Sequence, residues 1–190
     1  MTPVDRDLPP EAFGAALSRL PGMGPARLAA VLRQLDPATA WKRVRSGTVI
    51  RSHEVAAACR PDPSGVGEAW RTRARCTDVE GEWSAYETAD VEVSVLGRPG
   101  YPPVLAEDHE APAVLFSKGD LAALEGRRVA IVGTRNCTRY GRDVAYELGR
   151  DLAANGVRIV SGLALGIDGA AHAGALAAAS SPPVAVVGLF

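Results

Sequence analysis

Residues 133–141 read Gly-Thr-Arg-Asn-Cys-Thr-Arg-Tyr-Gly and directly follow the apolar run Val129-Ala-Ile-Val132. A glycine at the end of such a run lets the backbone turn tightly and come close to a ligand. Two residues on, Arg135 supplies a planar cation that grips phosphate through two parallel hydrogen bonds. A helix expected from about Tyr140 turns its unpaired first N–H groups toward the same place. The chemistry these residue types suit is the binding of a phosphate-bearing anion. Gly156-Val-Arg-Ile-Val160, followed by Ser161-Gly-Leu-Ala-Leu-Gly166-Ile-Asp168-Gly-Ala-Ala-His172, repeats the layout. Successive strand–loop–helix units of a parallel sheet bring both loops to the carboxyl edge of the strands. Gly133, Thr134, Ser161 and Gly162 are therefore candidate phosphate donors, with Arg135 as the strongest single contact. Tyr140, Asp168 and His172 are assigned to ordering the loops. Asp168 would cap the start of its own helix, and His172 would hydrogen-bond the loops together. Tyr140 would pack beneath its loop, with base stacking as the lesser alternative.

The same residues also admit enzymatic readings. Asp168 and His172 stand four apart, on one face of a helix, and Ser161 precedes them, which suggests hydrolysis. Ser161 sits in Ser-Gly-Leu, however, not in the Gly-x-Ser-x-Gly elbow of the α/β-hydrolases. Thr134 and Arg135 follow Gly133, so the Gly-x-Gly-x-x-Gly fingerprint of dinucleotide binding is absent, and no Walker Gly-x-x-x-x-Gly-Lys-Ser/Thr occurs. A nucleotide-binding or nucleotide-processing Rossmann-like enzyme related to phosphoribohydrolases is the remaining alternative, although their Pro-Gly-Gly-x-Gly-Thr loop is missing. The reading assigns no catalytic residue, no metal ligand and no cofactor.

The elements that must position these loops follow from pattern and composition. The chain of 190 residues is 47% hydrophobic but only 5% aromatic, so Ala, Val and Leu must do most of the packing. The overall net charge is −1, yet residues 127–190 carry seven arginines against four acids, and residues 1–126 carry the acidic excess. The positive balance thus coincides with the anion loops. Cys59, Cys76 and Cys137 have no paired spacing, against a disulfide framework or a zinc site. With no secretory signal pattern and no run approaching the roughly 20 apolar residues of a membrane span, a cytoplasmic protein without a membrane partner is expected.

Residues 11–58 read as helical, with Phe13, Leu17 and Leu20 on one face and Leu28, Val31, Leu32 and Leu35 on the next. Between them, Leu20-Pro-Gly22-Met-Gly24-Pro25 breaks the pattern, and Pro25 suits a first helical turn. This resembles a helix-hairpin-helix, in which Gly22 and Gly24 would present N–H groups to a DNA backbone; a purely structural hairpin is as good a reading. A helix is expected near 67–77, while 78–90 is acidic and ambiguous. Val91–Leu96 and Ala113–Phe116 read as strands. Gly97–Pro103 reads as a rigid turn. Val129–Val132 is expected to be a buried strand, the Ala-rich run 170–179 a helix lying close to a sheet, and 182–188 a third parallel strand.

Val-Ala-Ile-Val-Gly-Thr-Arg-x-x-Thr-x-Tyr-Gly at 129–141 and Val-Ser-Gly-Leu-Ala-x-Gly-Ile-Asp-x-x-Ala-His at 160–172 together resemble the DNA-processing protein A (DprA/Smf) family. Tyr101-Pro-Pro-Val-Leu105 and Pro112-Ala-Val-Leu-Phe-x-Lys-Gly-Asp120 resemble its lead-in segments. The resemblance implies an α/β protein: a helical N-terminal domain, helix-hairpin-helix or SAM-like, over 1–62, a connecting segment over 63–100, and a Rossmann-like DNA-binding domain over 101–190. It implies binding of single-stranded DNA, loading of the RecA recombinase in natural transformation, and a homodimer in the full-length protein. Against the family pattern the parallel sheet is expected to be incomplete and the chain truncated. The apolar run Val184–Val187 would then form an aggregation-prone edge.

Overall fold

The computed structural model describes residues 8–178 and 182–186 and divides into two compact units, 1–119 and 120–190. In the first unit, helices α1 (Pro10–Ser18), α2 (Pro25–Leu32), α3 (Pro37–Ser46), α4 (His53–Ala58), α5 (Pro63–Arg75) and α6 (Val79–Thr88) precede strand β1 (Glu92–Val95). A short helix α7 (Pro103–Ala106) and strand β2 (Val114–Ser117) follow.

Local chemistry sets these boundaries. Pro25 opens α2 at a position where its missing N–H costs nothing. Asp36 caps α3 by accepting from the Thr39 N–H at 3.0 Å. Gly47, at φ 76°, ends α3 in the left-handed region, and the Thr48 N–H returns to the Arg43 carbonyl. The acidic stretch 78–90, ambiguous in sequence, becomes α6 because Asp78 caps it through the Gly81 N–H. Trp83 and Tyr86 of α6 pack against the core.

The division at Gly119/Asp120 differs from the one the sequence suggests. No separate connecting segment spans 63–100. Trp70 of α5 is fully buried in the same core as Leu17, Val31 and Val44, and its Nε1–H donates to the Pro21 carbonyl at 3.0 Å. Val93 and Val95 of β1 and Val114 of β2 join that core as well. β1 and β2 pair antiparallel, Glu92 opposite Ser117 and Val95 opposite Val114, so the segment from 101 to 117 belongs with the helices. Gly14 permits the approach: a Cβ there would stand 2.9 Å from the Val95 side chain.

The second unit is α/β. Strands β3 (Arg128–Ala130), β4 (Arg158–Ser161) and β5 (Val184–Ala185) form a parallel sheet in that order. Helix α8 (Arg139–Ala154) connects the first pair and α9 (Ile167–Ala178) the second. Crossovers of one hand, stepping in one direction across a sheet, leave both helices on one face. Ile159 packs there with Ala145, Ala153, Ala171 and Ala175.

One sequence expectation changes here and a second is extended. Val129–Val132 is not a buried strand: Val132 is 66% exposed, and in this stretch only Ile131 packs against the core. The reason is position, since β3 is an edge strand and the sheet face opposite the helices is uncovered among the described residues. The Ala-rich α9 does lie against the sheet, on Ile159 of β4, but its thin side-chain layer serves chiefly to bring it close to α8. A Cβ on Gly149 would run into the Ala171 carbonyl, and one on Gly174 into the Tyr146 carbonyl. The third strand lies within the expected range, but Val187 falls outside the described residues.

Gly149→Ala is expected to push α8 and α9 apart and to destabilise this unit by about 1–3 kcal/mol. Gly24→Ala, where a Cβ meets open space at φ −85°, should leave stability nearly unchanged. Thermal unfolding followed by circular dichroism compares the two.

Candidate nucleic-acid interface

The loops after β3 and β4 meet at the carboxyl edge of the sheet. One carboxylate joins them: Asp168 Oδ1 accepts from the Gly133 N–H and Oδ2 from the Gly162 N–H, each at 3.0 Å. Asp168 is 3% exposed. The Ile167 N–H donates to the Thr134 carbonyl at 3.3 Å, a further bond between the loops. Gly166, at φ 88°, lies so close to the Thr134 and Arg135 carbonyls that a Cβ has no room. Gly133 faces Ile167 with equal tightness, a Cβ there standing 2.7 Å from the side chain.

Beneath the second loop, Ser161 Oγ lies 2.9 Å from His172 Nε2 and accepts from the Leu163 N–H at 3.0 Å. The Ser161 hydroxyl donates to His172 in the tautomer whose Nε2 carries no proton. Burial lowers the His172 pKa below the ordinary imidazole value, against the opposing effects of the Val184 backbone and the Asp168 charge. Leu163 is held at φ 53°, a left-handed conformation rare for leucine.

These contacts redistribute the roles read from sequence. Asp168 does not cap its own helix; from the first turn of α9 it reaches across to both loops. The amides of Gly133 and Gly162 are consequently engaged and not open to an external phosphate. Ser161 is 2% exposed, with its hydroxyl used on both sides, so it too is withdrawn from a ligand. The same geometry speaks against a hydrolytic triad, because Asp168 spends both oxygens on backbone amides. Tyr140 is 78% exposed and does not pack beneath the loop. In the helical unit, the Gly24 N–H donates to the Gly22 carbonyl at 3.0 Å, and Arg27 reaches the same carbonyl at 2.7 Å. Gly24 thus has no free donor for a DNA backbone.

What remains open is the first loop and the start of α8. Thr134 Oγ1 accepts from the Asn136 N–H, and Thr138 caps α8 through the Gly141 N–H at 3.1 Å. The N–H groups of Thr138, Arg139 and Tyr140 have no acceptor among the described residues. Arg135 is exposed and makes no hydrogen bond or ion pair among them. A free guanidinium, unpaired helix-start amides and an exposed aromatic ring are thereby gathered in residues 135–140. The unpaired helix-start amides were expected from the sequence, whereas the exposure of Tyr140 was not. Thr138, an N-cap residue, starts the helix at Arg139 and so sets Tyr140 in its exposed first turn.

A parallel α/β unit with this pair of interlocked loops places the chain in a defined class. It belongs to the DNA recombination-mediator protein A family, whose sequence profile matches residues 92–189. The DNA processing protein DprA of Bacillus subtilis is 43% identical over 96 residues, which cover 50% of this chain and 32% of that protein. DprA of Streptococcus pneumoniae is 46% identical over 76 residues, 40% of this chain and 27% of the relative. The X-ray structure of DNA processing protein A from Streptococcus pneumoniae superimposes with a TM-score of 0.62 at 25% identity, covering 92% of this chain and 56% of that one. The chain thus spans about a third of the length of the curated relatives it matches. No helix among the described residues is long and apolar enough to cross a membrane.

Asp168→Asn would leave one amide facing an NH₂ group. It should cost about 1.5–3 kcal/mol, the scale of hydrogen bonds to a charged group, and speed hydrogen exchange at Gly133 and Gly162. The pH dependence follows from His172. Its pKa is depressed in the folded state, so the unfolded chain takes up the proton first as pH falls. The unit is expected to lose stability as pH drops through about 6.5 toward the folded-state pKa. His172→Gln should flatten that part of the stability–pH curve, as read by denaturant titration.

Proposed function

We propose that this chain binds single-stranded DNA through residues 134–140 and takes part, without catalysis, in processing DNA for recombination. The observation that carries the reading is the unpaired Arg135 beside the free N–H groups at the start of α8, in a chain of the recombination-mediator family. Phosphate would sit on Arg135 and on the Thr138–Tyr140 amides, where both the helix dipole and the guanidinium favour negative charge. Tyr140 offers a sequence-tolerant face for one base. Specificity for base identity would be weak and salt dependence marked, because backbone phosphates dominate the contacts. The family relationship supports the further steps of this reading: protection of incoming DNA in transformation, delivery to the RecA recombinase in the cytoplasm, and a homodimer in the longer protein.

Arg135→Ala is expected to weaken binding to single-stranded oligonucleotides by about 1.5–3 kcal/mol and to reduce the salt slope by about one unit. Arg135→Lys should restore the charge but not the fork geometry. Tyr140→Ala should cost about 1–3 kcal/mol for single strands while leaving thermal stability unchanged. Fluorescence anisotropy over a salt series measures all three. Equal affinity for single and double strands, or an Arg135→Ala variant with unchanged affinity and slope, would refute the proposal.

A further inference from the structure

The carboxyl edge of the sheet carries more than the cation and amides of residues 135–140. Leu165 and Tyr140, 80% and 78% exposed, are the most open of the large apolar side chains among the described residues, and Leu163 is 58% exposed. Tyr140 stands where the loop after β3 enters α8, and the two leucines stand in the loop after β4. Val132 and Val186, also exposed, follow β3 and β5 at the same edge. Apolar residues scattered over a surface need no explanation, but a group gathered at one edge does.

Leu163 makes the sharper case. Its backbone lies at φ 53°, held there by its own N–H on Ser161 Oγ at 3.0 Å. Glycine or asparagine would take that conformation at lower cost. The leucine side chain offers the fold nothing in exchange, since it joins neither core cluster. An unfavourable backbone that displays an unused apolar side chain points to contact with something outside the chain. Leu165 is fixed by its neighbours. Gly166 packs against the Thr134 and Arg135 carbonyls, and the Ala164 carbonyl accepts from the Gly169 N–H at 3.1 Å. Leu165 therefore stands one residue from the backbone of Arg135.

Charge decides what the contact is with. Arg135 has no acid to pair with at this edge: Asp168 is buried and bound to two amides, and Asp143 lies 4.0 Å from Arg139. A free guanidinium beside bare leucines matches a ligand that alternates negative charge with flat apolar faces. A single strand of nucleic acid has that composition. In a duplex the phosphates remain, but the base faces are stacked on one another and only the edges are open.

We propose that Leu163 and Leu165 form an apolar ledge for the bases of a single strand whose phosphates rest on residues 134–140, and that this ledge is the source of a preference for single over double strands. The proposal rests on the reading of 134–140 as a strand-binding loop. It gives a base-contacting role to the second loop, whose Gly162 amide and Ser161 hydroxyl are engaged internally.

The test is fluorescence anisotropy of the whole chain with a labelled oligothymidylate, with an abasic strand of the same length and with a duplex, over a salt series. Leu163→Asn/Leu165→Asn removes both apolar side chains, and asparagine suits the left-handed backbone at 163, so the thermal transition is expected to stay in place or rise. The double variant should bind oligothymidylate roughly five- to tenfold more weakly, the scale of partly burying two leucines. Its affinity for the abasic strand and the duplex, and its salt slope, should match the parent's, because the phosphate contacts are untouched. Arg135→Ala should instead weaken all three ligands and flatten the slope. A double variant that binds oligothymidylate as the parent does, or that loses the abasic strand equally, would overturn the ledge while leaving the phosphate loop in place. A parent that binds none of the three would overturn both. A sedimentation shift from dimer to monomer in the double variant, with strand binding retained, would assign the leucines to a second copy of the chain and overturn the proposal as well.

Discussion

The arrangement of the α/β unit depends on a single carboxylate with two backbone donors. Asp168 takes one N–H from the end of each of two neighbouring strands' loops, and everything around it is shaped to allow this. Gly133 and Gly166 carry no side chain because Ile167 and the Thr134 and Arg135 carbonyls occupy the space. Asp168 itself sits in the first turn of α9, where the helix dipole favours negative charge. The charge that would repel a phosphate is thus turned inward and held by amides, and the outward side of the first loop is left to Arg135.

The helix–helix contact behind the loops is the second constraint. Gly149 and Gly174 bring the backbones of α8 and α9 against each other, so the contact between these helices is built from backbone and alanine, with Ile159 beneath it. That explains how a unit so poor in aromatic residues packs at all. The helical unit solves the same problem differently, with Trp41 and Trp70 filling its centre.

Much of this was legible in sequence. The alternation of strand, glycine loop and helix over 129–178 gave the parallel unit and both loops, and the Leu-rich stripes with Pro25 gave the first helices. The assignment of donors to acceptors was not legible. An aspartate at a helix start has a local use as a cap and a distant use as a bridge, and spacing does not distinguish them. The same limit applies to Ser161, whose hydroxyl is consumed by His172 and Leu163. Burial of β3 was misjudged because an apolar run fits a central strand and an uncovered edge equally well. The domain boundary was misplaced because Val114–Ser117 pairs back to Glu92–Val95, a long-range choice that local composition does not encode.

The internal bridging of the loops has a consequence for kinetics. Because Asp168, Gly166 and Ile167 hold the backbone of both loops from behind, their shape does not wait for a ligand. On the proposed reading, little entropy would be spent on ordering the receptor, and the cost of association would fall mainly on the strand and on a few exposed side chains. On the same reading, encounter, steered by Arg135 and sensitive to ionic strength, would set the on-rate instead of loop rearrangement. Variation among complexes with different strands would therefore be expressed chiefly in how long each one stays.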